Sequence, residues 1–451
     1  MDQAVAPNPV QELLRRRNSS RQQGLYACCS ANEYVIRAAI RRAQEWDTVV
    51  LVEATANQVN QDGGYTGMTP ADFRALVNRL AGEEGMPAER VLCGGDHLGP
   101  LTWNNLPEPE AMAKARILVR DYVLAGFAKI HIDTSMRLGD DDPRRCLPVE
   151  TIARRGAELC AAAEEAFRTC QATCPDAPAP VYVIGSEVPI PGGAMEQEDA
   201  VAVTRPEDCR ATLEAFRRAF LERGLEDAWE RVVALVVQPG VEFADESVIE
   251  YNRSAARNLT ACLQEWPGLV FEGHSTDYQP RERLREMVED GIAILKVGPA
   301  LTFALREGLF ALERIEAELL QRRPFPASGF RATLEWAMRQ DDRHWKKYYQ
   351  GQEADQCYAR AFSFSDRARY YLPHPRVAAA AETLLRNLDR EGIPLALLSQ
   401  YLPMQYQRVR SGRLPLRAEH LLIDHVGDWI DDYLYATITT QGDLHVSNAA
   451  V

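Results

Sequence analysis

The sequence predicts an α/β fold, a (β/α)8 TIM barrel followed by a mostly helical C-terminal extension. Eight short β-like runs, each ending in polar residues, Gly or Pro, alternate with helix-like segments at 24–30, 48–55, 91–96, 128–134, 181–188, 231–238, 268–274 and 292–297. A right-handed βα unit repeated eight times closes into a barrel. The competing fold is an open doubly wound sheet, but no GxGxxG motif follows a strand at the start of a helix. The barrel is therefore favoured.

The segments between the runs carry helix start and stop signals. Thr69 precedes Pro70, which predicts an N-cap with Pro in the first turn. Thr204 and Glu207 form a capping-box pattern after the fifth run. Gly126 predicts the end of a helix just before the fourth run. These signals place helices in the connections, as a barrel requires.

The pattern changes near residue 323. Pro324, Pro326 and Gly329 mark a boundary, so we expect a barrel over 1–323 and a helical C-terminal region over 324–451, packed on or near the barrel mouth. An aromatic and basic cluster lies in this region at 362–371. Such a cluster is usually a packed helical face with snorkelling cations. The alternative is a contact from the mouth to a phosphate through Ser365, Arg367 or Arg369.

Composition restricts the partners. The chain has 451 residues, is 46% hydrophobic and carries a net charge of −14, so no general attraction to nucleic acid or anionic membranes is expected. No apolar run approaches the roughly 20 residues of a membrane helix, and the N-terminus has no apolar signal core. The ten cysteines form no CxxC pair. We expect a cytoplasmic protein with reduced thiols.

Two histidines at separate strand ends predict a metal site. His97 follows the third run and His274 ends the seventh, and Glu187 or Gln238 could join them. Nitrogen and oxygen donors of this kind suit Zn²⁺ first, and also Mn²⁺, Co²⁺ or Ni²⁺. A single strand-end histidine is more often only hydrogen-bonded, so the pair carries the prediction. His131 is expected to support a ligand rather than to be one.

Other polar residues at the strand ends suit catalysis and sugar binding. Asp96 is next to His97 but on the opposite side of the strand, which favours a role in proton transfer. Asp133 and Glu187 are the further candidate catalytic acids. Amide and charged side chains suited to sugar hydroxyls form the candidate substrate site, although the amide row alone is equally typical of a loop: Glu53, Asn57, Gln58, Asn60, Ser275, Asp277 and Lys296.

The loops after the seventh and eighth runs predict a phosphate site. Barrels often hold phosphate there with backbone N–H groups and a helix N-terminus. The candidate residues are Gly273, Ser275, Gly298 and Thr302, with Arg367 from the C-terminal region. Tight βα turns are the alternative explanation of the same glycines.

Long motifs along nearly the whole chain resemble the Z-subunit family of class II D-tagatose-1,6-bisphosphate aldolase. They are VEAT at 52–55, NQVNQ at 57–61, GGYTGMTPADF at 63–73, GGDHLGP at 94–100, VVQPGVEF at 236–243, HSTDYQ at 274–279, LKVGPALTF at 295–303, FSDR at 364–367 and SQYLP at 399–403. The resemblance implies a barrel related to zinc-dependent class II aldolases. In that family pattern Asp96 moves the hydroxyl proton, His97 and His274 bind zinc, and Glu187 matches a glutamate after strand five. Gln238 departs from it, because the catalytic relatives have a histidine ligand there.

The resemblance implies two functions. One is a metal-assisted 4-epimerase that interconverts D-tagatose and D-fructose, as 6-phosphates, through retro-aldol and aldol steps; residues 189–203 and the C-terminal segment would close over the fragments. The other is a non-catalytic accessory subunit that stabilises the Y subunit of the aldolase. The residues favour the epimerase, because a scaffold needs no combination of Asp96, His97, Glu187 and His274. The partners expected are a ketohexose or its phosphate, a Y subunit, or a second copy of the chain.

Overall fold

The computed structural model describes residues 7–17, 23–185 and 201–438. Eight parallel strands form a closed barrel in the order β1-β10-β9-β6-β5-β4-β3-β2, so the predicted fold class is confirmed. Each predicted run overlaps one of these strands, and the third strand extends beyond its run to Leu98. Their bounds are β1 Leu25–Cys29, β2 Val50–Thr55, β3 Val91–Leu98, β4 Lys129–Ile132, β5 Val181–Ile184, β6 Val232–Val237, β9 Val270–Gly273 and β10 Ile292–Val297. A small antiparallel pair, β7 Glu242–Phe243 and β8 Val248–Ile249, follows β6.

Helices surround the barrel and continue beyond it. They are α1 Pro9–Arg17, α2 Glu33–Glu45, α3 Pro70–Glu83, α4 Glu108–Leu124, α5 Val149–Thr173, α6 Pro206–Leu221, α7 Glu226–Trp229, α8 Arg253–Ala261, α9 Arg281–Glu289, α10 Pro299–Leu320, α11 Phe330–Gln340, α12 Glu353–Phe362, α13 Pro375–Glu391, α14 Leu395–Tyr401, α15 Pro403–Arg410 and α16 Ala418–Thr437. Across the described ranges, none of them combines the length and apolar character that a membrane span needs.

The helix start at Thr69 forms as predicted, and the one at Thr204 does not. The Thr69 side chain accepts a hydrogen bond from the N–H of Asp72, in a reciprocal capping box. At α6 the N-cap is Arg205, without a side-chain cap. The Thr204 hydroxyl instead accepts a hydrogen bond from the N–H of Gln238 at 2.9 Å. A tertiary contact to the end of β6 therefore replaces the local cap.

The lower half of the barrel interior is apolar and is closed from below by α1. Val10 and Leu14 of α1 pack in one buried cluster with inward-facing strand residues such as Leu51 and Val183. Asn8 fixes the start of the helix, because its side-chain amide donates to the carbonyl oxygens of Ala128 and Ala179 at 2.9 and 2.8 Å. Chemistry is therefore confined to the opposite, carboxyl end of the strands.

The C-terminal region is joined to the barrel by buried polar contacts. Asp366 accepts hydrogen bonds from Thr302 at 2.7 Å and Arg306 at 3.0 Å, both on α10. The Tyr278 hydroxyl donates to the carbonyl oxygen of Phe364 at 2.6 Å. Buried apolar residues of both regions belong to one continuous cluster. The segment around 364–370 is thus held at the carboxyl ends of the strands.

The Arg306–Asp366 pair provides a test of this attachment, because both side chains are almost fully buried. Asp366 has a φ of 41°, which Asn tolerates, so Asp366→Asn removes the charge without adding backbone strain. We expect a loss of about 3–5 kcal/mol in the free energy of unfolding, since Arg306 stays buried without its carboxylate. Urea unfolding followed by tryptophan fluorescence measures it.

Arg343→Ala is the matched control, because its ion pair with Asp341 is largely exposed. Exposed pairs contribute at most about 1 kcal/mol. Equal losses in the two variants would contradict the importance of the buried pair.

Candidate active site at the carboxyl ends of the strands

Four charged side chains fill the upper layer of the barrel interior. The Lys129 ammonium contacts the Glu53 carboxylate at 2.7 Å and the Glu272 carboxylate at 2.6 Å. The Lys296 ammonium contacts Glu53 at 2.7 Å and Glu272 at 3.7 Å. Each residue comes from a different strand, so the four charges form a closed ring of alternating sign. We call it the ionic layer.

Lys129 and Glu272 of the ionic layer are charged despite their burial. Burial alone would lower the pKa of Lys129, but Glu272 and Glu53 raise it. Burial alone would raise the pKa of Glu272, but Lys129 and Lys296 lower it well below its ordinary value. Charge pairing therefore outweighs the cost of removing these groups from water.

Three imidazoles lie together above the ionic layer. The ring centroids of His97 and His274 are 4.8 Å apart, those of His97 and His131 are 4.8 Å apart, and those of His131 and His274 are 5.3 Å apart. One ligand atom from each, with a carboxylate oxygen of Asp96, lies within 4.8 Å of all the others. We call these four residues the histidine cluster. The structure thus brings together the two histidines from which the metal prediction began.

A hydrogen bond fixes one nitrogen of each imidazole. His97 Nδ1 contacts Asp133 at 2.9 Å, His131 Nε2 contacts the carbonyl oxygen of Gly185 at 2.9 Å, and His274 Nε2 contacts Glu272 at 2.9 Å. With the proton on these nitrogens, the lone pair of His97 and that of His274 lie on the other ring nitrogen, whereas the other nitrogen of His131, Nδ1, contacts Asp96 at 3.0 Å. Oxygen partners of this kind orient histidine ligands in metal sites.

The environments of the histidines also suit a metal. Burial lowers the pKa of His274 to about 3, with Lys296 and His97 adding to the effect, so its ring is neutral at neutral pH. Burial would lower the pKa of His97 too, but Asp96 and Asp133 raise it. A neutral imidazole such as that of His274, with imidazole and carboxylate neighbours, is a donor that zinc and similar ions accept. The residues present therefore fit a divalent ion.

Asp96 links the histidine cluster to the ionic layer. Its carboxylate contacts the Lys296 ammonium and, at 3.0 Å, His131 Nδ1. Burial would raise the pKa of Asp96, but Lys296 and His97 hold it well below its ordinary value. The group is therefore a carboxylate at neutral pH, able to accept a proton.

Backbone strain marks the same place. His97 lies near the end of β3, and Ser275 lies two residues after β9. Their φ values are 48° and 51°, in the left-handed region that non-glycine residues seldom adopt. Such conformations persist where the surrounding structure holds them, often at functional sites. Here the His97 N–H donates to His131 Nδ1 at 3.1 Å, which helps to hold the strained turn.

A cavity of about 780 Å³ opens above the histidine cluster. The barrel mouth forms its floor, and α10, α11 and α13 with the 369–373 segment form the far wall. Predicted site residues among its lining are Asn57, Gln58, Asp96, His97, Asp133, His274, Ser275, Asp277, Lys296, Gly298 and Thr302. Its size falls within the range of pockets that hold small molecules.

Two predicted substrate-binding residues, Glu53 and Asn60, use their polar atoms in contacts within the protein. Glu53 belongs to the buried ionic layer and is fully enclosed there. Asn60 organises the loop after β2, since its side chain accepts hydrogen bonds from the N–H groups of Asp62 and Gly64 at 2.9 and 3.0 Å. The prediction of direct substrate contact is wrong for both, because their polar atoms are used within the protein.

The predicted phosphate site is also different. Asp277 accepts hydrogen bonds from the N–H groups of Gly298 and Ala300 at 3.0 and 2.8 Å, so a carboxylate already occupies the start of α10. Gly273 faces the packed side of β9, where an added Cβ would lie 2.8 Å from Ile292. Phosphate binding by the Gly273 and Gly298 backbone is therefore a wrong prediction.

Two further predicted phosphate residues, Thr302 and Arg367, are engaged as well, and the role of Ser275 stays a prediction. Thr302 donates its hydroxyl hydrogen to Asp366 at 2.7 Å, although it lines the cavity. Arg367 is buried, with its guanidinium carbon 3.4 Å from the centre of the Tyr348 ring. The arginine of this segment that lines the cavity is Arg369.

Gln238 does not offer its amide oxygen as the expected third metal ligand. Its amide oxygen accepts hydrogen bonds from the N–H groups of Gly240 and Val241 at 2.8 and 3.0 Å. That oxygen closes the turn after β6, so it is not offered to the histidine cluster. Glu187 lies outside the described residues, as does most of the 189–203 segment.

Lys129 and Glu272 are not among the predicted site residues, and the expectation that His131 supports a ligand rather than being one stays a prediction. Lys129, His131 and Asp133 alternate with Ile130 and Ile132, a pattern that puts all three on one side of β4. The side that faces the barrel interior is normally apolar, so a charged residue there was a signal that an ionic layer exists.

The fold and the histidine cluster define a class, the (β/α)8 barrels with a polar site at the carboxyl ends of their strands. The family model described as D-tagatose-1,6-bisphosphate aldolase subunit GatZ/KbaZ-like matches residues 10–438. The chain belongs to this family, as its motifs predicted.

Solved structures give further likenesses. A protein from Sinorhizobium meliloti 1021, described as a probable tagatose 6 phosphate kinase, is 46% identical with a TM-score of 0.83, over 92% of this chain and 100% of that one. The YdjI aldolase from Escherichia coli K12 is 12% identical with a TM-score of 0.43, over 86% and 98%. A fructose-bisphosphate aldolase from Campylobacter jejuni is 13% identical with a TM-score of 0.39, over 85% and 94%.

Gly94 provides a test of the ionic layer. A Cβ at this position would lie 2.5 Å from a Glu53 carboxylate oxygen that two lysines hold in place. We expect Gly94→Ala to lower the free energy of unfolding by about 1–3 kcal/mol, the usual cost of overpacking. Gly82→Ala on α3 is the control, because nothing lies within 4 Å of the added methyl. It should leave stability unchanged or raise it by up to about 1 kcal/mol in the same urea titration. Equal stabilities of the two variants would contradict the close contact.

Proposed function

We propose that the protein is a ketohexose phosphate 4-epimerase that interconverts D-tagatose and D-fructose as their 6-phosphates by cleaving and re-forming the C3–C4 bond. The observation that carries the proposal is the histidine cluster, in which three oriented imidazoles surround the carboxylate of Asp96. Membership of a tagatose-bisphosphate aldolase family supports the same sugar and bond. The name of the S. meliloti relative also contains tagatose 6-phosphate.

His97, His131 and His274 would hold a divalent ion, for which zinc is the first candidate. Such an ion supplies Lewis acidity, which polarises a carbonyl and stabilises negative charge on its oxygen. Of the three, His131 is the weakest candidate ligand, because its Nδ1 already accepts a hydrogen bond from the N–H of His97. Asp133 and Glu272 would keep the His97 and His274 rings in orientation.

Asp96 is the residue that moves the proton. In the cleavage step a carboxylate oxygen of Asp96 takes the proton of the C4 hydroxyl, and the O–H electron pair forms the new C4 carbonyl. The C3–C4 electron pair passes to C3 and is delocalised onto the C2 carbonyl oxygen. The aldehyde then turns, C3 attacks its other face, and Asp96 returns the proton to the C4 oxygen. No oxidant or reductant is needed.

The cavity supports this sequence because the fragments must stay together. Part of its far wall comes from the C-terminal region, so two three-carbon pieces would lie between the barrel mouth on one side and α10 with the C-terminal helices α11 and α13 on the other. Enclosure of this kind also excludes water and strengthens the charge interactions within the site. An aldolase, in contrast, must release both fragments.

Conversion of D-tagatose 6-phosphate to D-fructose 6-phosphate by the metal-loaded protein is the direct test. We expect Asp96→Asn to lower kcat by about 100- to 10,000-fold, since a general base contributes that much. EDTA should remove activity in the wild type, and zinc should restore it. Product is measured by NMR, and an enzyme-coupled assay for triose phosphates measures release of fragments. Continuous release of triose phosphates in place of epimer would contradict the proposal.

The histidine cluster predicts a graded loss of metal. His97→Ala and His274→Ala should abolish retention of one ion per chain after dialysis. His131→Ala should weaken affinity less, by about 10- to 100-fold. Elemental analysis of the dialysed proteins gives the stoichiometry. His374→Ala is the control, because His374 caps α13 and should not affect the ion. Equal retention in all four variants would exclude this metal site.

The family description favours a second candidate, since it names a subunit of the aldolase. In that case the chain would be inactive alone and would raise the activity or yield of a co-expressed catalytic subunit. The Asp96→Asn variant separates the two functions. An accessory subunit should keep its effect on the partner after this substitution, and an epimerase should lose its own turnover.

A further inference from the structure

Three cationic side chains line the cavity: Arg37, Lys296 and Arg369. Two of them are neutralised within the protein. Lys296 contacts the carboxylates of Glu53 and Asp96 in the ionic layer, and Arg37 contacts the carboxylate of Glu84 at 2.8 Å. Their charge is therefore already used.

Arg369 differs from the other two. Its guanidinium donates to the carbonyl oxygens of Ser365 and, at 3.0 Å, Asp366, and to the Tyr370 hydroxyl at 3.4 Å. Within the described part of the chain, no carboxylate lies within 4.0 Å of it. The neutral oxygens fix the side chain without cancelling its charge. A largely enclosed cation of this kind favours an anion as its partner.

The start of α10 at the barrel mouth does not offer its N–H groups to an anion. Barrels commonly hold phosphate at the start of the helix after the eighth strand. In this chain the carboxylate of Asp277 accepts the N–H groups of Gly298 and Ala300 at that position. A phosphate there would lose those donors and would also face a negative charge.

We propose that Arg369 binds the single phosphate of the sugar, so that the substrate is a ketohexose monophosphate and not a bisphosphate. The inference deepens the proposed function and depends on it for the identity of the sugar. One unneutralised cation can match one phosphate, which carries between one and two negative charges at neutral pH. Asp96, His97 and His274 of the histidine cluster line the same cavity as Arg369, so the reacting carbons and the phosphate would lie in one cavity.

Binding of glucitol 6-phosphate tests Arg369 without any reaction. This probe has no carbonyl group, so it cannot be cleaved, and calorimetry reports its Kd whether or not the protein is an epimerase. We expect Arg369→Met to raise the Kd by about tenfold or more, as loss of charge-assisted hydrogen bonds does. Arg369→Lys should raise it less. Arg37→Met is the matched control, since its charge is already paired, and should leave the Kd unchanged.

The number of phosphates is tested on the wild-type protein, which removes any dependence on the folding of a variant. Glucitol 6-phosphate should bind about tenfold or more tightly than glucitol, and glucitol 1,6-bisphosphate should gain nothing over the monophosphate. Tighter binding of the bisphosphate by tenfold would overturn the single-phosphate assignment. An equal Kd in wild type and Arg369→Met would overturn the role of Arg369. Either result leaves the epimerase assay to decide the proposed function separately.

Discussion

The ionic layer is the constraint on which the rest of the site depends. Two lysines and two glutamates occupy a level of the barrel that hydrocarbon side chains usually fill. Burying four charges is favourable only when each is paired on both sides, so the four strands that carry them must keep their register. Because Glu272 also orients His274 and Lys296 also contacts Asp96, the same pairing sets the reactive groups above it.

The cavity has a floor made of strand ends of the barrel and a roof that includes the C-terminal region. The floor comes from strand ends in the barrel, where the pairing of β3 with β4 shifts register between Gly95 and Leu98 and the His97 N–H donates to the His131 side chain instead. The roof comes from the C-terminal region, which is fastened by Asp366 and by the Tyr278 hydroxyl. A cavity assembled in this way is complete only when both regions are folded, and apolar residues from both share one core.

The sequence predicts the fold well because the same pattern of a strand followed by a helix recurs along the barrel. Eight strands and their helices each carry short-range patterns, and the closure of the barrel follows from their number. The meeting of His97 with His274 is predictable for the same reason, since all strand ends gather at one rim. Gln238, Asp277 and Thr204 are not predictable in this way. Their polar atoms bond to loop N–H groups, and the turn geometry that presents those groups depends on tertiary contacts.

The division of the cavity between barrel and C-terminal region has an evolutionary consequence. Under the proposed function, the groups that would break and make bonds stand on the barrel, whereas part of the surface that a ligand would meet belongs to the C-terminal region. Sequence changes in α11 and α13 would then alter which ligands are admitted and leave the reacting groups intact. When the ligand preferences of relatives that share the barrel motifs are compared, these relatives should be grouped by the sequences of α11 and α13.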